Sequence, residues 1–226
     1  VMNQPFYVAP EQLMKDRADY ARKGIARGRA LVAVQYDDGI VVVAENTSNT
    51  LRKVSEIYDR IGFAGVGKYN EFDQLRRFGV RNADVRGYQY SRDDVEARSL
   101  ANEYAQILGQ TFTHDVKPYE VEILLAEVGV DQATDQLFHI MYDGTLMDER
   151  GFSVLGGDAE AIADRLRGLW KTDDDLSAAV KKCVASLSGP DRTLQAGDLE
   201  VAVLSRSGAR RCFQRFDDTE VAVLLA

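Results

Sequence analysis

The chain has 226 residues, a length that suits one large domain or two small ones. Its 28 Lys and Arg residues against 36 Asp and Glu residues give a net charge of −8, which argues against a nucleic-acid-binding protein because the phosphate backbone repels an acidic surface. Hydrophobic residues make up 45% of the chain, enough for a full core, so global disorder is excluded.

The N-terminal region divides at Pro10. Residues 1–9 carry no charged side chain and no helical period, so they indicate a loose segment. From Pro10 onward, apolar or small residues recur at spacings of three or four, and proline is favoured at the first position of a helix. Gly28 favours the end of this helix, since glycine is common just after the last helical residue. We therefore predict a helix over 10–27.

A β-hairpin is predicted next. Residues 31–36 and 40–45 are rich in β-branched side chains and flank Asp37-Asp38-Gly39, a turn signal typical of hairpins. The second strand is apolar at nearly every position, which predicts that both of its faces are covered.

Strands and helices then follow in groups. The predicted elements are strands 53–58 and 61–67, helices 69–78 and 93–113 joined by a connection at 84–88, strands 121–128, 136–142 and 153–155, helices near 158–170 and 174–187, strands 199–204 and 211–216, and a short apolar tail at 221–226. No linker rich in Pro, Gly or Ser divides them. This order predicts a single layered α+β domain over 1–226, in which antiparallel sheets carry helices on their outer faces.

The sequence argues against metal and phosphate chemistry. Its two histidines, His114 and His139, lie far apart, and no Cys-x-x-Cys or His-x-x-x-His spacing occurs. The glycines of residues 62–67, followed by Lys68, resemble a phosphate loop but lack the Walker spacing, and Tyr69 stands where Ser or Thr is required. Close packing of a buried strand explains them better. We expect neither a metal ion nor a cofactor.

No motif in the sequence indicates a catalytic nucleophile or an acid–base pair either. No Gly-x-Ser-x-Gly occurs, and Cys183 falls in an apolar stretch where a thiol behaves as a small hydrophobe. The carboxylates of 173–175 and 217–218 are better explained as helix caps and solvated loops. Taken by themselves, the basic helix 10–27 and Lys53 at a strand entry are better explained as solvated surface than as a site.

Three features of the sequence bear on the cellular compartment: the number of cysteines, the length of the apolar runs and the character of the first residues. The two cysteines, Cys183 and Cys212, are too few for a disulfide framework and suit a reducing environment. The longest apolar run, roughly residues 39–44, is far shorter than the ~20 residues that a membrane span needs, and the first residues lack a secretory pattern. We therefore expect a cytoplasmic protein without a membrane association.

A series of motifs, taken in order, resembles the proteasome α subunits, in particular their actinobacterial branch. These motifs are Tyr20-Ala21-Arg22-Lys23-Gly24, Lys53-Val54-Ser55-Glu56-Ile57-Tyr58-Asp59-Arg60-Ile61-Gly62, Gly67-Lys68-Tyr69-Asn70-Glu71-Phe72, Leu100-Ala101-Asn102, Lys117-Pro118-Tyr119-Glu120-Val121-Glu122, Asp143-Gly144-Thr145 and Gly156-Gly157. The resemblance covers nearly the whole chain, from about Phe6 to Phe216.

The resemblance implies a fold and an assembly. It implies a four-layer αββα sandwich, the fold of the N-terminal-nucleophile hydrolases. It also implies rings of seven α subunits that cap two β rings in a barrel that degrades proteins. Substrates would be unfolded polypeptides, in this branch tagged by a small ubiquitin-like protein and delivered by a ring-shaped ATPase or an ATP-independent ring.

The resemblance further implies that this subunit is not itself a protease. In catalytic β subunits, a threonine at the start of the first strand is the nucleophile and its own amine is the base. That position falls here near residues 29–31, and residues 1–46 contain no threonine. This counts against the alternative, a catalytically competent N-terminal-nucleophile amidohydrolase or β-type threonine protease. A third reading, a stand-alone binding domain, predicts a monomer.

Site residues also come from the resemblance. It places Lys53 in a pocket between adjacent α subunits that receives the C-terminal tail of an activator, with Gly28 and Gly67 lining the groove. The helix at 10–27 would lie on the outer surface of the ring, and residues 1–9 would form a gate at its pore. Most α subunits carry a Tyr-Asp-Arg element before this helix, where Phe6, Tyr7 and Pro10 stand here. The gating contacts of archaeal relatives therefore do not carry over.

Overall fold

The computed structural model describes residues 9–48, 50–208 and 210–226. Its helices are α1 (Pro10–Ala26), α2 (Tyr69–Gln89), α3 (Ala97–His114), α4 (Ala159–Leu169), α5 (Leu176–Ser188) and α6 (Asp218–Leu225). Its strands are β1 (Leu31–Tyr36), β2 (Gly39–Glu45), β3 (Val54–Tyr58), β4 (Ile61–Gly67), β5 (Val121–Glu127), β6 (Gln136–Ile140), β7 (Leu146–Glu149), β8 (Phe152–Leu155), β9 (Leu199–Ser205) and β10 (Phe213–Arg215).

Two five-stranded antiparallel sheets form the centre of the molecule. Sheet 1 has the strand order β10-β9-β2-β1-β8, and sheet 2 has the order β3-β4-β5-β6-β7. One apolar core lies between the sheets, a second lies between sheet 2 and the pair α2 and α3, and a third lies between sheet 1 and the helices α4 to α6. The predicted four-layer αββα sandwich is confirmed.

The predicted hairpin is present. β1 pairs with β2 from Leu31↔Ala44 to Tyr36↔Gly39, and Gly39 adopts a φ of +151°, which glycine tolerates and other residues rarely adopt. Every residue of β2 is buried, because this strand lies between β1 and β9 and both faces of the sheet are covered. This confirms the interpretation of its continuous apolar run.

Helix α1 closes one end of the sandwich. Its buried residues, Ala21 and Ile25, join the core between the two sheets, and most of the remaining helix is exposed. Arg17 anchors its middle turn: Nε donates to the Phe112 carbonyl oxygen at 2.6 Å and Nη2 donates to the Thr111 carbonyl oxygen at 3.0 Å. The predicted helix 10–27 is confirmed to within one residue.

The predicted connection at 84–88 is wrong, since α2 continues to Gln89. The regular spacing of large apolar residues, which predicted the helix, ends at Phe78. The turns that follow pack through the small residues Gly79 and Ala83 instead. A side chain at Gly79 would overlap the Tyr104 hydroxyl, which donates to the Leu75 carbonyl oxygen at 2.9 Å. The helix therefore packs closely here without the periodic signal that large side chains would give.

Two further elements differ from the prediction. Strand β7 was not predicted, because Leu146–Glu149 is a short edge strand that is half polar and none of its residues is fully buried. The predicted tail at 221–226 is helical instead, since α6 spans Asp218–Leu225. A reciprocal cap starts this helix: Asp217 accepts the Glu220 N–H at 2.8 Å, and Glu220 accepts the Asp217 N–H at 2.8 Å.

No helix in the described part of the chain combines the length and the apolar character that a bilayer crossing demands.

The predicted role of the acidic residues as helix caps has a measurable consequence. Asp175 precedes α5, and its Oδ1 accepts the Ala178 N–H at 2.8 Å. Replacing Asp175 with alanine is expected to lower the free energy of unfolding by about 1 kcal/mol, since an N–H at the helix start loses its acceptor. Urea unfolding would measure this, with the exposed Asp173→Ala as control. Equal midpoints for the two variants would contradict the cap.

Candidate functional site

The end of the sandwich near the C-terminus of α1 contains the predicted lysine. Lys53 immediately precedes β3, and its Nζ donates to the carbonyl oxygen of Arg29 at 2.7 Å. Arg29 lies in the short connection between α1 and β1. The half-buried Lys53 side chain thus reaches from sheet 2 to the point where the first strand of sheet 1 begins.

The charges around Lys53 leave an excess of cations. Glu45 on β2 accepts hydrogen bonds from Nη1 and Nη2 of Arg192, at 3.1 and 3.2 Å, and lies 3.6 Å from Arg29. The cluster contains four cations and two anions: Arg29, Lys53, Arg192, Arg215, Glu45 and Glu200.

The anions of this cluster are buried, whereas two of its cations are half exposed to solvent. The side chains of Glu45 and Glu200 are 9% and 1% exposed, whereas those of Arg29 and Arg192 are 50% and 53% exposed. An anion approaching from solvent therefore meets the cations first.

The ammonium of Lys53 is only weakly held in its charged form. Burial, assisted by the Arg29 guanidinium, lowers its pKa to about 8 against the opposing effects of Glu45 and Glu200. At pH 7 the ammonium is still mostly protonated, so it can pair with a carboxylate. A partner carboxylate would stabilise the charged form and would raise the pKa of Lys53.

Gly28 and Gly67 bring two segments of backbone into contact beside this cluster. Gly28 follows α1, and Gly67 ends β4 with a φ of +100°. A Cβ at Gly28 would lie 3.1 Å from the backbone nitrogen of Gly67, and a Cβ at Gly67 would overlap the carbonyl oxygen of Glu120. That oxygen also accepts the Lys68 N–H at 2.9 Å. Glycine is therefore required at 67 both by conformation and by space.

An open cleft of about 460 Å³ lies against the same two glycines. Its lining consists of Tyr20, Gly24, Arg27, Gly28, Gly67, Lys68 and Glu120. Beneath it, the Lys117 ammonium binds Glu71 at 2.6 Å and Glu120 at 2.9 Å. A side chain at Gly24 would overlap the Glu120 side chain, so α1 rests directly on this ionic group.

Comparison with known proteins agrees with this fold. The proteasome subunit family matches residues 25–204 of the chain. The proteasome subunit alpha of Acidimicrobium ferrooxidans is 61% identical over 220 residues, which cover 97% of this chain and 95% of the relative. Those of Kineococcus radiotolerans and Thermomonospora curvata are 54% and 53% identical, each over 100% of this chain and 99% of the relative. The chain belongs to the proteasome α-subunit family.

Within this α-subunit fold, the structure places Gly28 and Gly67 together in the lining of the cleft, whereas Lys53 is not part of that lining. Lys53 is linked to this pair through the chain, because its Nζ donates to the carbonyl oxygen of Arg29, the neighbour of Gly28. Pro10 is exposed at the first position of α1, ~24 Å along the helix axis from Ala26. It therefore does not belong to this cluster. Phe6 and Tyr7 lie outside the described residues.

Sequence reasoning missed most of the residues that shape the α-subunit site. Glu200 lies on β9, 147 residues from Lys53 in sequence, so no local pattern connects the two. Glu120 belonged only to a motif of the resemblance, and Lys68 was considered only there and as the end of a possible phosphate loop. Glu200 interrupts an apolar strand, and a carboxylate in a strand buried along nearly its whole length is the signal that could have identified it.

Proposed function

We propose that this proteasome α subunit is a non-catalytic component of the outer ring, which docks activators and controls the entry of substrates to a proteolytic chamber formed by β subunits. The observation that carries the proposal is the closed end of the sandwich. There α1 and the Arg29–Lys53 contact occupy the region where a catalytic subunit would present its nucleophile. Seven copies would form each ring.

The chemistry of this end supports a non-catalytic role. Residues 9–46 contain no Ser, Thr or Cys, so neither an aliphatic hydroxyl nor a thiol lies on α1, at the start of β1 or on the first hairpin. Lys53 donates to a main-chain carbonyl oxygen and not to a side-chain nucleophile. This segment therefore offers no group on which an acyl-enzyme could form, although Glu45 and Lys53 supply an acid and an amine nearby.

The cation excess around Lys53 supports docking of a carboxylate-terminated chain. The two anions of the cluster are buried, and a protonated ammonium gives a charge-assisted hydrogen bond with a carboxylate that is worth about 1.5–3 kcal/mol. The partner would be the C-terminal tail of a ring-shaped activator, either an ATPase or an ATP-independent ring. The substrates would be unfolded proteins, including tagged ones, in the cytoplasm.

Residues 1–9 would form the gate in this proposal. Removing them from the chain, in particles assembled with the cognate β subunit, is expected to raise the hydrolysis of a short fluorogenic peptide several-fold. The same particles should lose all hydrolysis when the β nucleophile is replaced. Unchanged hydrolysis after the deletion would contradict a gate, and hydrolysis that survives loss of the β nucleophile would favour a catalytic α subunit.

The lowered pKa of Lys53 predicts a pH dependence for docking. As pH rises through about 8, Lys53 loses its proton and with it the attraction for a carboxylate. Between pH 7 and pH 9, the affinity for the last ten residues of the cognate activator is expected to fall about tenfold, following the protonated fraction. Fluorescence anisotropy with assembled particles would measure this.

The matched control for this pH dependence is Lys53→Arg, whose guanidinium stays charged over the whole range. Its affinity profile should be flat between pH 7 and pH 9. Parallel losses of affinity in the two proteins would show that Lys53 is not the titrating group.

A further inference from the structure

Glu200 is a buried carboxylate that faces the space between the two sheets. It lies on β9, and its side chain is 1% exposed. Ala202 and Leu204, at alternate positions of the same strand, belong to the core between the sheets, so Glu200 projects toward sheet 2 from the same face. Such a group is stable only when donors surround it.

The donors come from the start of β3 and from the loop before it. Oε2 of Glu200 accepts the Lys53 N–H at 2.8 Å and the Asn46 Nδ2 at 2.8 Å. Oε1 accepts the Val54 N–H at 3.3 Å and lies 3.4 Å from Nε of Arg215. One carboxylate on sheet 1 therefore holds the first residues of the edge strand of sheet 2.

These contacts fix the Lys53 backbone while its side chain is fixed elsewhere. The N–H of Lys53 is held by Glu200, its carbonyl oxygen accepts the Gly65 N–H at 3.0 Å, and its Nζ binds the Arg29 carbonyl oxygen. Asn46 adds a brace, because its Nδ2 also donates to the Leu51 carbonyl oxygen at 2.7 Å. The connection from β2 to β3 is thus attached to Glu200 at both of its ends.

We propose that Glu200 is a positioning residue of the activator-docking site, which fixes the backbone of Lys53 so that its ammonium meets the carboxylate of an incoming tail. This inference rests on the docking role proposed above for Lys53. Glu200 does not reach the tail itself, since it is buried beneath Lys53.

Glutamine cannot replace Glu200 without conflict. Both carboxylate oxygens accept N–H donors, whereas a glutamine amide offers one oxygen and one NH₂ group. In either orientation, its NH₂ group would face at least one N–H donor of Val54, Lys53 or Asn46. The start of β3 must therefore shift when Glu200 is replaced with glutamine.

The charge of Glu200 acts on Lys53 in addition to its geometry. The charged groups that face Lys53 are Arg29 from the connection after α1, Glu45 from β2 and Glu200 from β9. Arg192 forms an ion pair with Glu45, and Arg215 on β10 forms an ion pair with Glu200. Loss of the Glu200 charge leaves Glu45 as the one anion of this set, so the pKa of Lys53 falls further.

The test compares two peptides that differ only at their C-terminus. The last ten residues of the cognate activator are prepared with a free carboxylate and as the amide, and each is titrated onto assembled particles. In Glu200→Gln, the free-carboxylate peptide should bind about tenfold more weakly, the amide should change little, and the midpoint of the pH dependence should move to lower pH. A purely structural weakening would not move that midpoint.

Two variants keep this test decisive. Glu200→Asp keeps the charge and shortens the side chain, so it should weaken binding of the free carboxylate without moving the midpoint. The matched control is Glu127→Gln, because Glu127 on β5 is half-buried and also accepts a backbone N–H, that of Ala97 at 2.7 Å. Glu127→Gln should leave the affinity, the preference for the carboxylate and the midpoint unchanged.

The outcomes separate the two proposals. Wild-type affinity in Glu200→Asp, or a change in Glu127→Gln as large as that in Glu200→Gln, would overturn the positioning role. If Lys53→Ala retains the full wild-type preference for the free carboxylate, the docking role of Lys53 itself fails. Loss of that preference in Lys53→Ala but not in either Glu200 variant would leave docking intact and refute only the inference about Glu200.

Discussion

Lys53→Ala is expected to abolish most of the stimulation of peptide hydrolysis by an activator. The substitution removes the ammonium and leaves the tail carboxylate without its charge-assisted partner, so affinity for the tail should fall by roughly 10- to 150-fold. Since Arg29 and Arg192 remain near the site, a residual electrostatic attraction should persist. The measurement is hydrolysis of a fluorogenic peptide by assembled particles, as a function of activator concentration.

A matched surface lysine controls for the loss of charge. Lys181 lies exposed on α5, on the outer face of sheet 1. Lys181→Ala lowers the net charge by the same amount and should respond to the activator as the wild type does. If Lys53→Ala shows the same activator concentration dependence as Lys181→Ala, the docking site lies elsewhere on the ring.

Replacing Gly67 with alanine is expected to destabilise the fold strongly. Gly67 has a φ of +100°, and a Cβ there would overlap the Glu120 carbonyl oxygen, which is part of the backbone and cannot swing aside. Conformational strain and steric overlap together should lower the free energy of unfolding by about 3 kcal/mol. In a chain of this size, that loss corresponds to a fall of about 8 °C in the midpoint of thermal unfolding.

The control for this prediction is a glycine without such constraints. A Cβ at Gly168 in α4 meets no atom within 4 Å, and the helical conformation suits alanine. Gly168→Ala should therefore leave stability unchanged or raise it by about 0.5 kcal/mol. Wild-type stability in Gly67→Ala would show that the close contact between β4 and Glu120 can relax at little cost.

Local chemistry allowed much of the fold to be predicted. The Asp37-Asp38-Gly39 turn and the apolar run after it determined the first hairpin, and the spacing from Pro10 onward determined α1. The prediction was wrong where packing depends on small residues or on context. The second half of α2 packs through Gly79 and Ala83, which give no apolar period, and β7 pairs along one edge of sheet 2.

The site was less accessible to prediction than the fold. From the sequence alone, Lys53 is best interpreted as a surface lysine, and only the family resemblance assigned it a role in docking. Its surroundings come from strands far apart in sequence: Glu45 from β2 and Glu200 from β9. Long-range pairing in sheet 1, with Ala44 opposite Glu200, creates the cluster, and a single sequence carries no signal for such pairing.

Native mass spectrometry of the chain, alone and mixed with its cognate β subunit, tests the central claim most directly when peptidase activity is followed in parallel. We expect a barrel whose outer rings contain seven copies of this chain, with activity that appears only when β is present. A chain that stays monomeric and never joins β, or that hydrolyses peptides by itself, would contradict the role proposed here for it as a non-catalytic ring subunit.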